Sequence, residues 1–200
     1  MRVKYDRKEL KNINSQIIIM GIIFVLSVFL GSFLNKMWPS YSQNAINDLN
    51  LTIEYYSQDV SLISNVFINL KVDFIYLIAM SILSVVVILF PFSILLFIIK
   101  GVSIGYTMNS MILSLKLMSF KMVFLTISKN IIIIPGMIII IIVTIKYFRE
   151  MKVQFDKKRK ANILFLSKRY LINTLLISLV IVISQALINF CFMGLLKLFN

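Results

Sequence analysis

The sequence predicts an all-α integral membrane protein with five transmembrane helices, its N-terminus inside and its C-terminus outside. Hydrophobic residues make up 60% of the 200 residues, against roughly 45–50% in soluble domains. Residues 74–146 contain no Asp, Glu or His, and a run of that length suits three crossings of about 20 residues each. Basic residues collect beside apolar runs, as the positive-inside rule describes. We therefore expect one membrane domain over residues 1–200.

The first predicted transmembrane helix is residues 16–34. These 19 residues carry no charge, whereas the apolar part of a signal peptide is only about 7–15 residues long. Residues 1–15 before it are basic and polar and form a predicted cytoplasmic arm. The first apolar segment is therefore interpreted as an uncleaved membrane helix.

Residues 35–73 are predicted to form an external amphipathic helical segment. Apolar residues recur there at alternating spacings of three and four, which is typical of one face of an α-helix. Two interpretations remain open, an interfacial helix lying on the membrane and a docking face for an extracytoplasmic partner. The face consists of Ile46, Leu49, Ile53, Tyr56, Val60, Ile63, Phe67 and Leu70.

The apolar run that follows is divided into three further transmembrane helices at residues 74–99, 102–120 and 122–145. A tight turn is predicted at Lys100-Gly101, and its glycines are expected to permit both the turn and close helix packing. Pro91 is expected to kink the second helix or to end it early, and the fourth is expected to kink at Pro135-Gly136.

The fifth transmembrane helix is predicted at residues 170–196, after a basic cytoplasmic loop at 146–169. With this arrangement fifteen of the 21 Lys and Arg residues fall on the inner side. A model with four crossings would place the basic loop outside, against the positive-inside rule. Five crossings are therefore preferred.

The residue types argue against an enzyme and against a cofactor or metal site. The predicted helices contain no His, Asp or Glu, so general acid–base pairs and metal ligands lack their usual components. Cys191 is the only cysteine and is expected to be a small core residue. The net charge of +13 is assigned to membrane lipids and not to nucleic acid, because no nucleic-acid-binding motif accompanies it.

Two lysines are candidates for function because a charge deep in a bilayer costs about 2.5–3.5 kcal/mol on insertion scales. Lys100 lies at the predicted turn, from where it could instead simply reach the inner headgroups. Lys129 lies eight residues into the fourth predicted helix. The alternative to a functional role is that its side chain snorkels outward to the membrane surface, while the neighbouring Asn130 forms a hydrogen bond between helices.

A resemblance to a known family rests on the stretch after Pro91. Lys100-Gly101-Val102-Ser103-Ile104-Gly105-Tyr106-Thr107 resembles the KGxSxGxT core of the stage II sporulation protein M family. Further along, Asn130 and Pro135 keep the spacing of that family's second motif, while Ser128 and Lys129 depart from it. The candidate motif residues are therefore Pro91, Lys100, Gly101, Ser103, Gly105, Thr107, Lys129, Asn130 and Pro135.

The resemblance implies a non-enzymatic anchor in the septal membrane of endospore-forming bacteria during engulfment. Its partners would be the peptidoglycan-degrading stage II sporulation D and P type proteins. The alternative from the residues is a small permease or the membrane subunit of a transporter, in which kinked helices and Lys129 line a path. The absence of acidic coupling residues and of an inverted repeat counts against that alternative.

Overall fold

The computed structural model describes residues 7–37, 62–115, 127, 130–156 and 160–198. Five α-helices lie within these ranges, and the described residues contain no strand. A single 3₁₀ turn, Val87–Leu89, precedes α3. The all-helical prediction is thus confirmed over the described part of the chain. The helices are α1 (Arg7–Met37), α2 (Leu62–Leu83), α3 (Phe90–Leu115), α4 (Ile133–Asp156) and α5 (Lys160–Leu198).

The distribution of side chains identifies the bundle as a membrane protein. Three segments are long and apolar enough to cross a bilayer, Ile13–Met37, Val87–Leu113 and Ile163–Cys191. Large apolar side chains point outward, with Phe29 68% exposed, while the polar Gln185 is fully buried. Polar groups inside and apolar groups outside are the arrangement that lipid favours.

Helices α1 and α3 run parallel and in close contact. The rings of Phe24 and Phe97 lie 5.7 Å apart between centroids, and farther along Asn35 donates a hydrogen bond to Ser110. Residue numbers rise together in both helices. A residue of α1 therefore lies level with the residue of α3 whose number is about 73 higher.

The other helices alternate in direction. Asp73 contacts Lys100 and Tyr76 contacts Leu96, so α2 runs antiparallel to α3. Helices α4 and α5 are also antiparallel to each other, because Tyr170 meets Thr144 while the later Gln185 meets Ile132. Between the helices lies a core formed by Met20, Leu77, Met80, Phe97, Ile133, Met137, Ile140, Ile141 and Ile181.

The predicted tight turn at Lys100-Gly101 is wrong. Helix α3 continues through both residues, and the chain instead turns between Leu83 and Phe90. Pro91 lies in the first turn of α3, where its missing N–H breaks no hydrogen bond of the helix. Pro91 was expected either to kink the second helix or to end it early. The second expectation agrees with the structure, because the preceding helix ends at Leu83. The boundaries 74–99 and 102–120 are corrected accordingly.

The second half of the chain also differs from the prediction. Pro135 lies in the first turn of α4 and produces no mid-helix kink there. The predicted loop at 146–169 is largely helical, because α4 extends to Asp156 and α5 begins at Lys160. Helix α5 contains all of the predicted segment 170–196, just as α1 contains 16–34.

The external segment predicted at 35–73 is only partly described. Residues 38–61, and with them Ile46, Leu49, Ile53, Tyr56 and Val60, lie outside the described residues. Ile63, Phe67 and Leu70 belong to α2. Residues 62–73 are therefore corrected from a separate external segment to the first half of a helix of the bundle.

Candidate functional site

Gly31, Gly101 and Gly105 form the contact between α1 and α3, which we call the glycine seam. A Cβ atom on Gly31 would lie 2.0 Å from the carbonyl oxygen of Val102, and one on Gly105 would lie 2.0 Å from that of Val28. Neither distance is sterically possible, so only glycine allows this approach. Gly101 and Gly105 are four residues apart, the spacing that places small residues on one helix face in membrane helix pairs.

Hydrogen bonds between side chains continue this contact beyond the glycines. Asn109 donates to the Asn35 side-chain oxygen at 3.0 Å, and Ser32 donates to the carbonyl oxygen of Gly105 at 3.2 Å. Asn35 is 1% exposed. These bonds satisfy polar groups that the bilayer could not, and they fix the register of α1 against α3.

Lys100 and Asp73 form an ion pair between α3 and α2. The Lys100 Nζ lies 3.3 Å from the Asp73 Oδ1, and the two side chains are 20% and 13% exposed. The same Nζ lies 5.5 Å from the centre of the Tyr76 ring, a distance at which a cation is attracted to the ring face. Lys100 is therefore held by a charge and an aromatic ring.

The ion pair lies midway along the apolar segment of α3. Lys100 is 13 residues from each end of the apolar segment Val87–Leu113, which is about 20 Å at 1.5 Å per residue. The adjacent Gly101 packs against Phe24 and Ser27, which flank the centre of the uncharged run 16–34. Both measures agree, so the acid and the base lie beside the central part of the apolar helices.

The remaining polar residues of the motif lie on another face of α3. Lys100, Ser103 and Thr107 follow each other at spacings of three and four, which places them on one side of the helix; we call them the polar stripe. Ser103 is exposed, and the Thr107 hydroxyl donates to the Ser103 carbonyl at 2.8 Å. The motif thus has two faces, with glycines toward α1 and polar groups away from it.

The other predicted site residues are dispersed. Pro91 is exposed at the start of α3, and Lys129 lies outside the described residues. Asn130 is buried and, with Pro135, lines an apolar groove of about 520 Å³ between α1, α3 and the start of α4. Asn130 and Pro135 therefore lie near α1 and α3, in a groove that neither Lys100 nor Asp73 lines.

Asp73 is the site residue that sequence reasoning missed, because it was assigned to the external segment. Pro91 is the residue from which the position of Asp73 opposite Lys100 could have been predicted. If that proline begins a helix, the turn precedes it, and Asp73 and Lys100 then lie ten residues from the adjoining ends of α2 and α3. Antiparallel neighbours at equal distance from a turn face each other. Among the described residues, no three His, Cys, Asp or Glu side chains cluster as metal ligands would.

Two tyrosines give a matched test of the buried hydroxyls at this site. The Tyr76 hydroxyl donates to the Leu96 carbonyl, whereas the Tyr106 hydroxyl is buried without a partner among the described residues. A buried hydrogen bond contributes about 1 kcal/mol and an unsatisfied group costs about 1–3 kcal/mol. We expect Tyr76→Phe to lower the free energy of unfolding by about 1 kcal/mol, and Tyr106→Phe to leave it unchanged or raise it. Equal losses in both variants, measured by unfolding in mixed micelles, would contradict this assignment.

No family model, no curated protein and no solved structure matches the chain.

Proposed function

We propose that this protein is a non-enzymatic membrane scaffold that holds partner proteins through contacts within the bilayer. The observation that carries the proposal is the polar stripe, in which Lys100 and Thr107 have partners within the chain and Ser103 faces outward. Ser103 is exposed at a depth where lipid offers no hydrogen-bond partner. Polar side chains on the outer surface of a membrane helix are stabilised when a second helix supplies partners. A partner helix seated beside α3 would do so.

We further propose that all five helices cross the membrane, with the N-terminus inside. Helices α2 and α4 have 22 and 24 residues, and at 1.5 Å per residue each is about 33–36 Å long, enough for a bilayer core of about 30 Å. Helix α1 begins at Arg7, at the same end of the bundle as the basic 146–169 segment. Nine of the 13 Lys and Arg residues within the described ranges lie at this end, which supports its placement in the cytoplasm.

The resemblance to the stage II sporulation protein M family gives this scaffold its specific form. We propose that it recruits peptidoglycan-degrading partners of the stage II sporulation D and P types to the septal membrane during engulfment. The part of the predicted face that precedes α2, from Ile46 to Val60, would bind their extracytoplasmic parts, and the polar stripe would bind their membrane helices. Neither role requires a catalytic group in this chain.

Site-specific crosslinking in native membranes tests the scaffold role. A photo-crosslinking amino acid at position 103 is expected to capture a membrane-anchored cell-wall hydrolase, identified by mass spectrometry. The matched control is position 180 on α5, which is also exposed and lies next to Ile181, packed on Gly136, at a similar depth. Capture of the hydrolase at both positions, or of lipid alone at position 103, would contradict docking on the polar stripe.

The ion pair favours a second candidate function, a small permease or a transporter subunit. An acidic residue at mid-depth, paired with a basic one, is a common component of ion and solute pathways. In the sequence, the absence of acidic coupling residues counted against a transporter, and Asp73 is such an acidic residue. The scaffold is preferred because the groove of about 520 Å³ between α1, α3 and the start of α4 is lined mainly by apolar side chains, which would not favour passage of a polar solute.

A further inference from the structure

A small polar cleft lies between α4 and α5, remote from the glycine seam and the ion pair. It has a volume of about 160 Å³, many times the roughly 10–15 Å³ that a single water requires. Lys146 and Arg169 line it from opposite helices, together with Glu150 and Asn173. Both cations are exposed, and neither forms an ion pair with a described carboxylate. The cleft therefore holds two uncommitted positive charges.

Two tyrosine rings form the rigid wall of this cleft. Tyr147 and Tyr170 stack with ring centroids 4.5 Å apart and an interplanar angle of 21°. Their hydroxyls are engaged elsewhere, because Tyr170 bonds Thr144 at 2.7 Å and Tyr147 bonds Ser167 at 2.8 Å. The groups left to bind a ligand are thus the two cations and the Asn173 amide.

The position of the cleft along the bundle places it at the membrane boundary. The ring of Phe148 packs edge-on against Phe90 at 5.1 Å, and the Tyr147 hydroxyl donates to the Val85 carbonyl at 3.4 Å. Val85 lies in the turn that joins α2 and α3, and Phe90 is the first residue of α3, near one end of the apolar segment Val87–Leu113. Stacked tyrosines and long basic side chains at this level are typical of the headgroup region.

We propose that this cleft binds a tetrahedral phosphate group carrying about one negative charge. Lys146 and Arg169 contribute two positive charges and Glu150 one negative charge, so the site has a net charge of +1. A phosphodiester carries a single negative charge and balances it, and an arginine can hold two phosphate oxygens at once. The location favours the headgroup of an anionic phospholipid over free phosphate. This inference depends on neither the scaffold nor the transport role.

Lipid binding to the purified full-length chain tests the site. Native mass spectrometry in detergent would measure retention of phosphatidylglycerol, with phosphatidylcholine and inorganic phosphate as separate probes. Each cation near an anionic headgroup is worth about 1 kcal/mol. Since about 1.4 kcal/mol is a factor of ten, Lys146→Gln with Arg169→Gln should weaken phosphatidylglycerol binding by at least about tenfold. The matched pair Lys152→Gln with Lys168→Gln removes two exposed cations that do not line the cleft and should change binding by about twofold or less.

Each outcome of this experiment bears on the site. Competition by millimolar inorganic phosphate would support the cleft with free phosphate as its ligand, and resistance to competition would support the lipid. Equal weakening by the two glutamine pairs would overturn the proposal, as would no retention of phosphatidylglycerol. Equal retention of phosphatidylglycerol and phosphatidylcholine would support a site for the phosphodiester that both lipids carry. The charge-conserving pair Lys146→Arg with Arg169→Lys must keep binding within about threefold of the unmodified chain. Its loss with an unchanged Tm would also overturn a site based on charge.

Discussion

Replacing Gly31 by Ala is expected to force α1 and α3 apart and to lower the free energy of unfolding by about 3 kcal/mol. The new methyl carbon would lie 2.0 Å from the Val102 carbonyl oxygen and 2.9 Å from the Tyr106 nitrogen. Both neighbours are helix backbone, which cannot rotate away as a side chain can. Overpacking in a close-packed interior typically costs about 1–3 kcal/mol, occasionally more, and moving α1 would also break the Asn35 and Ser32 hydrogen bonds.

Gly21→Ala is the matched control for this prediction. Gly21 lies in the same helix, and a Cβ atom there would have nothing within 4 Å. Alanine is also the better helix former, by about 0.8–1 kcal/mol measured in water. Unfolding by a denaturing detergent in mixed micelles should therefore show a large loss for Gly31→Ala and none for Gly21→Ala. If the two variants unfolded alike, the close approach of α1 and α3 at the glycine seam would be refuted.

Breaking the Asp73–Lys100 pair is expected to have a comparable effect. Removing one partner of a buried ion pair leaves the other charge uncompensated and typically costs about 3–5 kcal/mol. Both side chains are mostly buried. We therefore expect Asp73→Leu and Lys100→Met each to lower the free energy of unfolding by about 3 kcal/mol.

The double variant Asp73→Leu with Lys100→Met isolates the coupling between the two residues. Apolar residues that replace a buried pair together often leave stability unchanged, so the double variant should lie within about 1 kcal/mol of the unmodified chain. Lys36→Met is the control, because Lys36 is an exposed lysine in the last turn of α1, away from the ion pair, and should have little effect. Additive losses in the double variant would show that the two charges do not stabilise each other.

The same variants separate the two candidate functions. A permease that uses the pair would carry solute or protons across reconstituted liposomes, and the stable double variant would lose that flux. A scaffold would give no flux with the unmodified chain, while capture of partners at position 103 would persist. Stability and function are thus measured on the same protein.

Lys100-Gly101 illustrates why the position of the turn could not be read from the sequence. Glycine serves equally in turns, where it tolerates unusual backbone angles, and in helix contacts, where it lets two backbones meet. The residue itself does not distinguish these roles. In the folded chain Ser27 and Phe24 lie opposite Gly101, so this glycine serves in a helix contact. Both neighbours are more than 70 residues away in the chain.

Asp73 illustrates the same limit for the candidate site. Its charge ended the apolar run in the sequence, so it was placed outside the membrane. In the folded chain, Lys100 lies 3.3 Å away and compensates the charge within the bundle. Hydropathy scores each residue as if it faced lipid alone, so it cannot register a charge that is neutralised by a distant partner.

The sequence by itself determined the class of the protein. Its apolar content and its clustered basic residues fix a helical membrane protein, because the transfer of a segment into lipid depends on that segment's own composition. Only the tertiary structure decided where the chain turns, which face of α3 meets α1, and that an acid and a base lie together beside the central part of the apolar helices. Those features depend on contacts between residues far apart in the chain, and the energy of such contacts belongs to the pair and not to either residue.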